Sequence, residues 1–143
     1  MKATLQSAMK EAMKAKDKVR LDTIRGLLSA MQYEEMQKGV DSLDATTSAL
    51  LLQTELKKRR EEVEFAEKGG REDLKAQLAI EIATIESFLP KQFSGEEIEK
   101  ILSTLKDETP GLNVGAAMKV LKERYSGQYD GKLASDVAKR VLG

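Results

Sequence analysis

The sequence predicts an all-α fold in which long, antiparallel N-terminal helices precede a small three-helix C-terminal domain. Apolar residues recur at intervals of three and four along the chain, and no segment alternates as a strand does. The composition, 34% charged and only 4% aromatic, is typical of helical proteins. A short break before Asp17, and Gly and Pro residues farther along, interrupt the helical spacing and divide the chain into seven predicted helices.

The first two predicted helices open an N-terminal domain of residues 1–89. The first helix has one apolar stripe, formed by Leu5, Met9 and Ala12. Asp17 can cap the second helix, and Gly39 can end it. Residues 40–47 are rich in Ser, Thr and Asp and are therefore predicted to form a loop.

The next two predicted helices form a hairpin. The third runs from about Thr47 to Lys68, where Gly69 and Gly70 end it. The fourth follows at once, and its apolar stripe consists of Leu78, Ile82, Ile85 and Leu89. It ends before Pro90, because the residue that precedes a proline disfavours the helical conformation. A connection this short makes the two helices antiparallel.

The third helix carries the densest charge run of the chain, KKRREEVE at residues 57–64. Its bases lie four positions before acids, in the pairs Lys57–Glu61, Lys58–Glu62 and Arg60–Glu64. Pairs at this spacing stabilise an exposed helix, and the acids cancel the field of the bases. The run is therefore predicted to be a solvated face.

A C-terminal domain of residues 93–143 begins with a strong helix-start signal. Ser94 and Glu97 form a capping box, and Phe93 and Ile98 form a hydrophobic staple, so the fifth helix starts directly after Ser94. Pro110 ends that helix. The sixth helix is predicted from about Asn113 to Tyr125, and the last is predicted from the spacing of Leu133, Val137 and Val141.

The composition excludes several chemistries. The chain has no Cys and no His, so it has no disulfide, thiol nucleophile, His-based triad or His–metal site. No motif indicates a cofactor, a metal or a catalytic residue, and none is predicted. No apolar run approaches the roughly 20 residues of a membrane span, so a cytoplasmic location is expected.

The stretch YSGQYDGK at residues 125–132 is the candidate binding site. The net charge of the chain is zero, but six basic residues face three acidic ones from Thr109 onward. Gly127, Asp130 and Gly131 have a structural explanation, the end of one helix and the cap of the next. Lys132 would lie in the first turn of the last helix, where a lysine and exposed amides together suit an anion.

Four segments together resemble the YqeY-like family, namely DKVRLDTIR (17–25), KKRREEVEFAEKGGREDL (57–74), FLPKQFSGEEI (88–98) and GAAMKVLKERYSGQYDGKLASDVAKRVL (115–142). That family shares its domain with the C-terminal end of the B subunit of the glutamine-dependent aminoacyl-tRNA amidotransferase. The resemblance implies the all-α fold described above. It also implies a tRNA-contacting role, since the ammonia-transfer chemistry of the amidotransferase resides in a separate catalytic domain.

The family motifs map onto the C-terminal residues of this chain. The Met-Lys pair falls on Met118 and Lys119, and the Gly-x-x-Asp-Gly-Lys motif falls on Gly127, Asp130, Gly131 and Lys132. The sequence departs at Tyr129, where many members have a small Ala, and at Ser126, where a lysine is common. The loop is therefore less basic than in the family. Tyr129 either stacks on an unpaired base or packs within the protein.

The leading hypothesis is a non-enzymatic cytoplasmic protein that binds tRNA or a tRNA-bound enzyme complex. Its candidate nucleic-acid-binding residues are Lys119, Lys122, Tyr129, Gly131, Lys132, Lys139 and Arg140. Two alternatives remain open. One is a protein-interaction module that docks through a helix face, which the zero net charge and six methionines favour. The other is an amidase-type enzyme, for which no Ser–Lys pairing stands out.

Overall fold

The computed structural model describes residues 1–143 and contains seven α-helices and no strand, which confirms the predicted all-α fold. The helices are α1 (Lys2–Ala15), α2 (Lys18–Lys38), α3 (Ala45–Lys68), α4 (Glu72–Glu86), α5 (Gly95–Glu108), α6 (Val114–Arg124) and α7 (Gly131–Leu142). The chain divides into two compact units, which we call unit 1 (residues 1–89) and unit 2 (residues 90–143). Each unit has its own hydrophobic cluster.

The core of unit 1 forms around α2, which packs against α1, α3 and α4. Its buried residues are Leu5, Ala8, Ala12, Ile24, Leu27, Met31, Leu52, Leu56, Ile85 and Leu89. They follow the helical spacing read from the sequence, so each helix turns one apolar stripe inward. Full burial of one Leu or Ile side chain contributes about 1.5–3 kcal/mol relative to exposure.

The helix ends in unit 1 follow from their capping residues. Asp17 accepts a hydrogen bond from the Arg20 N–H at 3.2 Å, and Gly39 ends α2 with a left-handed φ of 66°, so both predictions are confirmed. Helix α3 begins directly after Asp44, earlier than predicted, because this carboxylate accepts from the Thr47 N–H at 2.7 Å. The predicted loop offered several candidate caps, and the spacing of apolar residues did not distinguish among them.

Helix α4 is shorter than its apolar stripe. It ends at Glu86, although the spacing continues to Leu89. The last residues tighten into a turn in which the Phe88 N–H donates to the Ile85 carbonyl and the Leu89 N–H donates to the Glu86 carbonyl, both at 3.1 Å. Pro90 accounts for this ending, since it disfavours helical geometry at the residue before it. Leu89 remains buried in the core.

Six of the eight residues in the charge run of α3 are exposed, as predicted, but its arginines do not form the predicted pairs within the run. Arg59 is only 16% exposed, and its Nε donates to Glu81 Oε1 across the hairpin at 3.0 Å. Its Nη1 donates to Glu55 Oε2 at 2.9 Å. Arg60 also reaches α4, at 3.6 Å from Glu86. The arginines therefore pair with acids that lie outside the run. The pairs with Glu81 and Glu86 connect α3 to α4.

A partly buried ion pair ties α1 to α2. Glu35 is only 6% exposed, and Lys2 Nζ donates to both of its carboxylate oxygens at 3.0 and 3.1 Å. Sequence reasoning missed this pair. The available signal was position, because Glu35 follows the buried Met31 by four residues and continues the apolar stripe of α2.

Unit 2 contains three helices, of which α5 and α6 both pack against α7. Its buried residues are Ile98, Leu102, Leu105, Ala117, Leu121, Ala134, Val137 and Ala138. The predicted capping box is confirmed, since the Glu97 N–H donates to Ser94 Oγ at 3.2 Å and the Ser94 N–H donates to Glu97 Oε1 at 3.1 Å. The Asn113 cap of α6 is also confirmed, at 2.8 Å from the Ala116 N–H.

The capping carboxylate gives unit 2 a pH dependence. The Lys91 side chain, first, and the Ser94 N–H, second, lower the pKa of Glu97 from its ordinary value of 4.5. Because the folded pKa lies below the unfolded one, the ionised carboxylate stabilises the folded state above pH 4.5, and this contribution is lost as the pH falls through the folded pKa. We expect the thermal midpoint of unit 2 to fall on acidification and to fall less in Glu97→Gln, as followed by circular dichroism.

The matched control for this prediction is Glu96→Gln, which changes the exposed neighbour of Glu97 in the same helical turn. It should leave the pH dependence close to that of the wild type. A Glu97→Gln protein whose midpoint falls as steeply with pH as the wild type would contradict the prediction.

Candidate nucleic-acid interface

The loop between α6 and α7 is held by contacts to the segment before α5. Gly127 has a left-handed φ of 78°, and its carbonyl accepts from the Gln92 side chain at 2.6 Å. The Gln128 carbonyl accepts from the Phe93 N–H at 2.7 Å. The glycine at this turn is therefore explained by backbone geometry, because a positive φ is costly for a residue with a Cβ. These bonds fix where the following helix begins.

The start of α7 presents Lys132 to solvent. Asp130 caps the helix, and its carboxylate accepts from the Leu133 N–H at 3.0 Å, as predicted. That amide is therefore already bonded to an acid within the chain. Gly131 has ordinary φ, and no atom lies within 4 Å of the position that a Cβ would occupy. The first turn of α7 thus combines the exposed lysine with a glycine whose backbone no other atom covers on the side where a Cβ would lie.

The basic residues of α7 share its outward face. Lys132, Lys139 and Arg140 lie opposite the stripe of buried residues Ala134, Val137 and Ala138. Asp136 lies on the same outward face, four residues after Lys132. Arg140 Nη2 donates to Glu99 Oε2 at 3.1 Å, and both side chains are exposed. An exposed pair of this kind contributes about 0–1 kcal/mol, so a phosphate can compete for Arg140.

The basic residues of α6 are exposed as well. Lys119 and Lys122 lie three residues apart, on the side away from the buried Ala117 and Leu121. Neither lysine forms an ion pair within the chain, and the same is true of Lys132 and Lys139. The structure thus places two lysines on the outward face of α6 and the remaining cations on the outward face of α7.

Tyr129 differs from the other predicted site residues because its side chain packs inward. It is half-buried and lies against the hydrophobic cluster of unit 2. Burial raises the pKa of its phenol above the usual value. Of the two roles left open by the sequence, packing is the one that these contacts favour.

Sequence reasoning missed a groove between α5 and α6. It has a volume of about 290 Å³, and Lys100, Arg124 and Tyr125 are among the residues that line it. The available signal was the position of Arg124, a base in the last turn of α6 that directly precedes the aromatic cap residue.

The chain contains no group of three or more His, Cys, Asp or Glu side chains that could hold a metal ion. No helix combines the length and the apolar character required to cross a bilayer.

Two curated relatives resemble the chain, and both are named altered inheritance of mitochondria protein 41, mitochondrial. The protein of Lachancea thermotolerans is 32% identical over 123 residues, which cover 82% of this chain and 66% of the relative. The protein of Kluyveromyces lactis is 32% identical over 119 residues, which cover 78% of this chain and 64% of the relative. The match thus spans slightly less than two thirds of either relative.

These names contradict the cytoplasmic location expected from the sequence, because both relatives are designated as mitochondrial proteins. The expectation rested on the lack of an apolar span. That feature bears on membrane insertion and does not distinguish between compartments.

The comparison with protein families agrees with the motifs quoted from the sequence. The model described as Yqey-like protein matches residues 2–142, and thus covers both units and all seven helices. This match confirms the resemblance inferred from the four segments. The chain therefore belongs to the YqeY-like family.

Proposed function

We propose that the protein is a non-catalytic accessory protein that binds tRNA, or an enzyme complex that carries tRNA, through the outward faces of α6 and α7. The observation that carries this proposal is the set of four exposed lysines without an ion-pair partner in the chain, Lys119, Lys122, Lys132 and Lys139. Unpaired, exposed cations suit phosphates, whose neutralisation supplies most of the sequence-independent affinity for nucleic acids. The relation of the family to a tRNA-contacting region of the amidotransferase also supports it.

Arg140 and Gly131 also belong to the proposed surface, although neither is an unpaired lysine. Arg140 would exchange its exposed bond with Glu99 for a phosphate, and Gly131 would let a phosphate approach the backbone at the start of α7.

We further propose that the two units correspond to two domains, residues 1–89 with the longer antiparallel helices and residues 93–143 with the three-helix tail.

The double variant Lys119→Glu/Lys132→Glu tests the proposed RNA surface. Loss of two phosphate contacts lowers the magnitude of the slope of log K against log salt by about 1.8. Extrapolated from 1 M salt, this corresponds to about 60-fold weaker binding of tRNA at 0.1 M salt. Fluorescence anisotropy of labelled tRNA over a salt series measures both quantities. The reversed charges should make the loss at least this large.

The matched control is Lys10→Glu/Lys14→Glu, which makes the same charge change on exposed residues of α1. It should weaken binding only slightly, through the altered net charge of the protein. Equal losses in the two double variants would show that tRNA responds to net charge and not to the proposed surface. A wild-type protein that binds no tRNA at low salt would overturn the proposal.

A protein-interaction module is the second candidate, and a specific feature of unit 1 favours it. Tyr33 and Met36 are exposed and lie three residues apart on α2, and Val40, just beyond the end of the helix, is exposed as well. Exposed aromatic and Met side chains are common at protein interfaces. Recovery of one protein partner after nuclease treatment, with loss of recovery in Met36→Lys, would favour this candidate over RNA binding.

A further inference from the structure

The groove between α5 and α6 arises from how unit 2 packs. Both helices pack against α7 more extensively than against each other. The resulting space of about 290 Å³ is open to solvent and is lined mostly by residues from the second half of α5 and the end of α6. None of the residues that line it belongs to the proposed phosphate-binding surface.

The floor of the groove is apolar and rigid. It is formed by Ile101, Leu105 and Tyr125, all of which are buried or half-buried. The Tyr125 ring is held edge-to-face against Phe93, with ring centres 5.3 Å apart and planes at 88°. A ring fixed by such packing loses little conformational entropy when a ligand binds against it.

The rim of the groove carries positive charge. Lys100 on α5 and Arg124 on α6 both line it and are exposed, and neither forms an ion pair within the chain. Glu108 is the one acid in the lining, so the cations are in excess. Thr104 adds a hydroxyl to the lining. An occupant that complements this lining has a flat apolar part and a negative charge.

We propose that this groove binds one unpaired nucleotide of an RNA held by unit 2, with the base against Ile101 and Tyr125 and a phosphate between Lys100 and Arg124. The inference rests on the proposed RNA-binding function and specifies which part of the RNA is recognised. A single base fits the volume of the groove, whereas a duplex keeps its bases paired and stacked within the helix.

The experiment compares two RNAs by fluorescence anisotropy, a single strand of about 12 nucleotides and a blunt duplex of the same number of phosphates. A 2-aminopurine in the single strand reports contact of a base with an aromatic ring through a change in its fluorescence. We expect tighter binding of the single strand, a change in the 2-aminopurine signal, and a loss of both in Thr104→Glu. The affinity of this variant for the single strand should fall about 5- to 150-fold, the range for loss of one stacked base.

Ser103→Glu is the matched control, because it places the same charge on the adjacent exposed residue of α5, which does not line the groove. It should change the affinity for the single strand by less than about 2-fold, as is usual for an exposed charge away from the contact. Tyr125→Leu provides a second variant without a change of charge, and it should reduce the affinity while leaving the salt slope unchanged.

The remaining outcomes separate the two proposals. Equal effects of Thr104→Glu and Ser103→Glu, or equal affinity for single strand and duplex, would overturn the nucleotide site and leave RNA binding intact. A wild-type protein that binds neither RNA would overturn both. Binding of an acidic helical peptide that Thr104→Glu abolishes, together with RNA binding that it leaves unchanged, would assign the groove to a protein and overturn the nucleotide site.

Discussion

Leu102→Ala should unfold unit 2 and leave unit 1 folded. Leu102 is fully buried at the centre of the cluster that holds α5, α6 and α7 together. Truncation of a buried Leu costs about 2–5 kcal/mol through lost burial and the cavity left behind. A unit of this size commonly has a total stability of about 3–5 kcal/mol, so the loss is comparable to all of it. Differential scanning calorimetry should show that one of two unfolding transitions has disappeared.

Leu52→Ala provides the reciprocal experiment, since Leu52 is equally buried in the cluster of unit 1. Leu52→Ala should lower the midpoint temperature of the unfolding transition that Leu102→Ala leaves in place. A single transition in the wild type, lowered as a whole by either substitution, would contradict the proposed division into two domains.

Arg59→Ala should destabilise unit 1 by about 2–3 kcal/mol, which is less than the full cost of breaking a buried ion pair because the side chains retain some exposure. The arginine pairs with Glu55 and Glu81, which are 21% and 16% exposed, and Glu55 has a second, weaker partner in the exposed Lys58 at 3.4 Å. Removal of the arginine leaves Glu81 at the α3–α4 interface without a cation, and leaves Glu55 with only the exposed Lys58. Urea unfolding monitored by circular dichroism measures the change. Arg59→Lys should recover only part of the loss, because a lysine does not reproduce the two-sided fork of the guanidinium.

The adjacent Arg60 is the control for this prediction. It also pairs across the hairpin, with Glu86, but it is 53% exposed. Arg60→Ala should therefore cost at most about 1 kcal/mol, as is usual for exposed pairs. Equal effects of the two alanine substitutions would show that burial does not determine the contribution of these pairs.

Helix starts were predicted correctly from the sequence where the segment offered a single capping residue. Ser94 with Glu97, and also Asp17, Asn113 and Asp130, each cap the helix assigned to them. These contacts join residues three positions apart, so local spacing determines them. The start of α3 was misplaced because residues 40–47 contain several possible caps, and only packing decides among them.

Contacts between helices were much harder to predict. The spacing of KKRREEVE favoured pairs within α3, whereas Arg59 and Arg60 pair with acids of α4. The register of one helix against another depends on how the apolar stripes interlock, and the chain spacing of charges carries no information about it. The buried Glu35 was missed for the same reason, because its partner Lys2 lies on another helix.

The candidate site shows the same division between local and tertiary information. Lys132 at the start of α7 and the turn at Gly127 follow from local chemistry, and the structure has both. The inward packing of Tyr129, the pairing of Arg140 with Glu99 and the groove at Tyr125 depend on how three helices meet. No spacing rule relates those residues, since they lie on different elements.

The division into two hydrophobic clusters has a consequence for the order of events during translation. Each cluster draws only on its own continuous stretch of chain, residues 1–89 or residues 90–143. Helical units with mainly local contacts fold within microseconds to milliseconds. A ribosome that adds about 5–20 residues per second needs about 3–10 s to synthesise the second stretch. The first unit can therefore complete its core before most of the second has left the ribosome, and its apolar residues are already covered when those of the second appear.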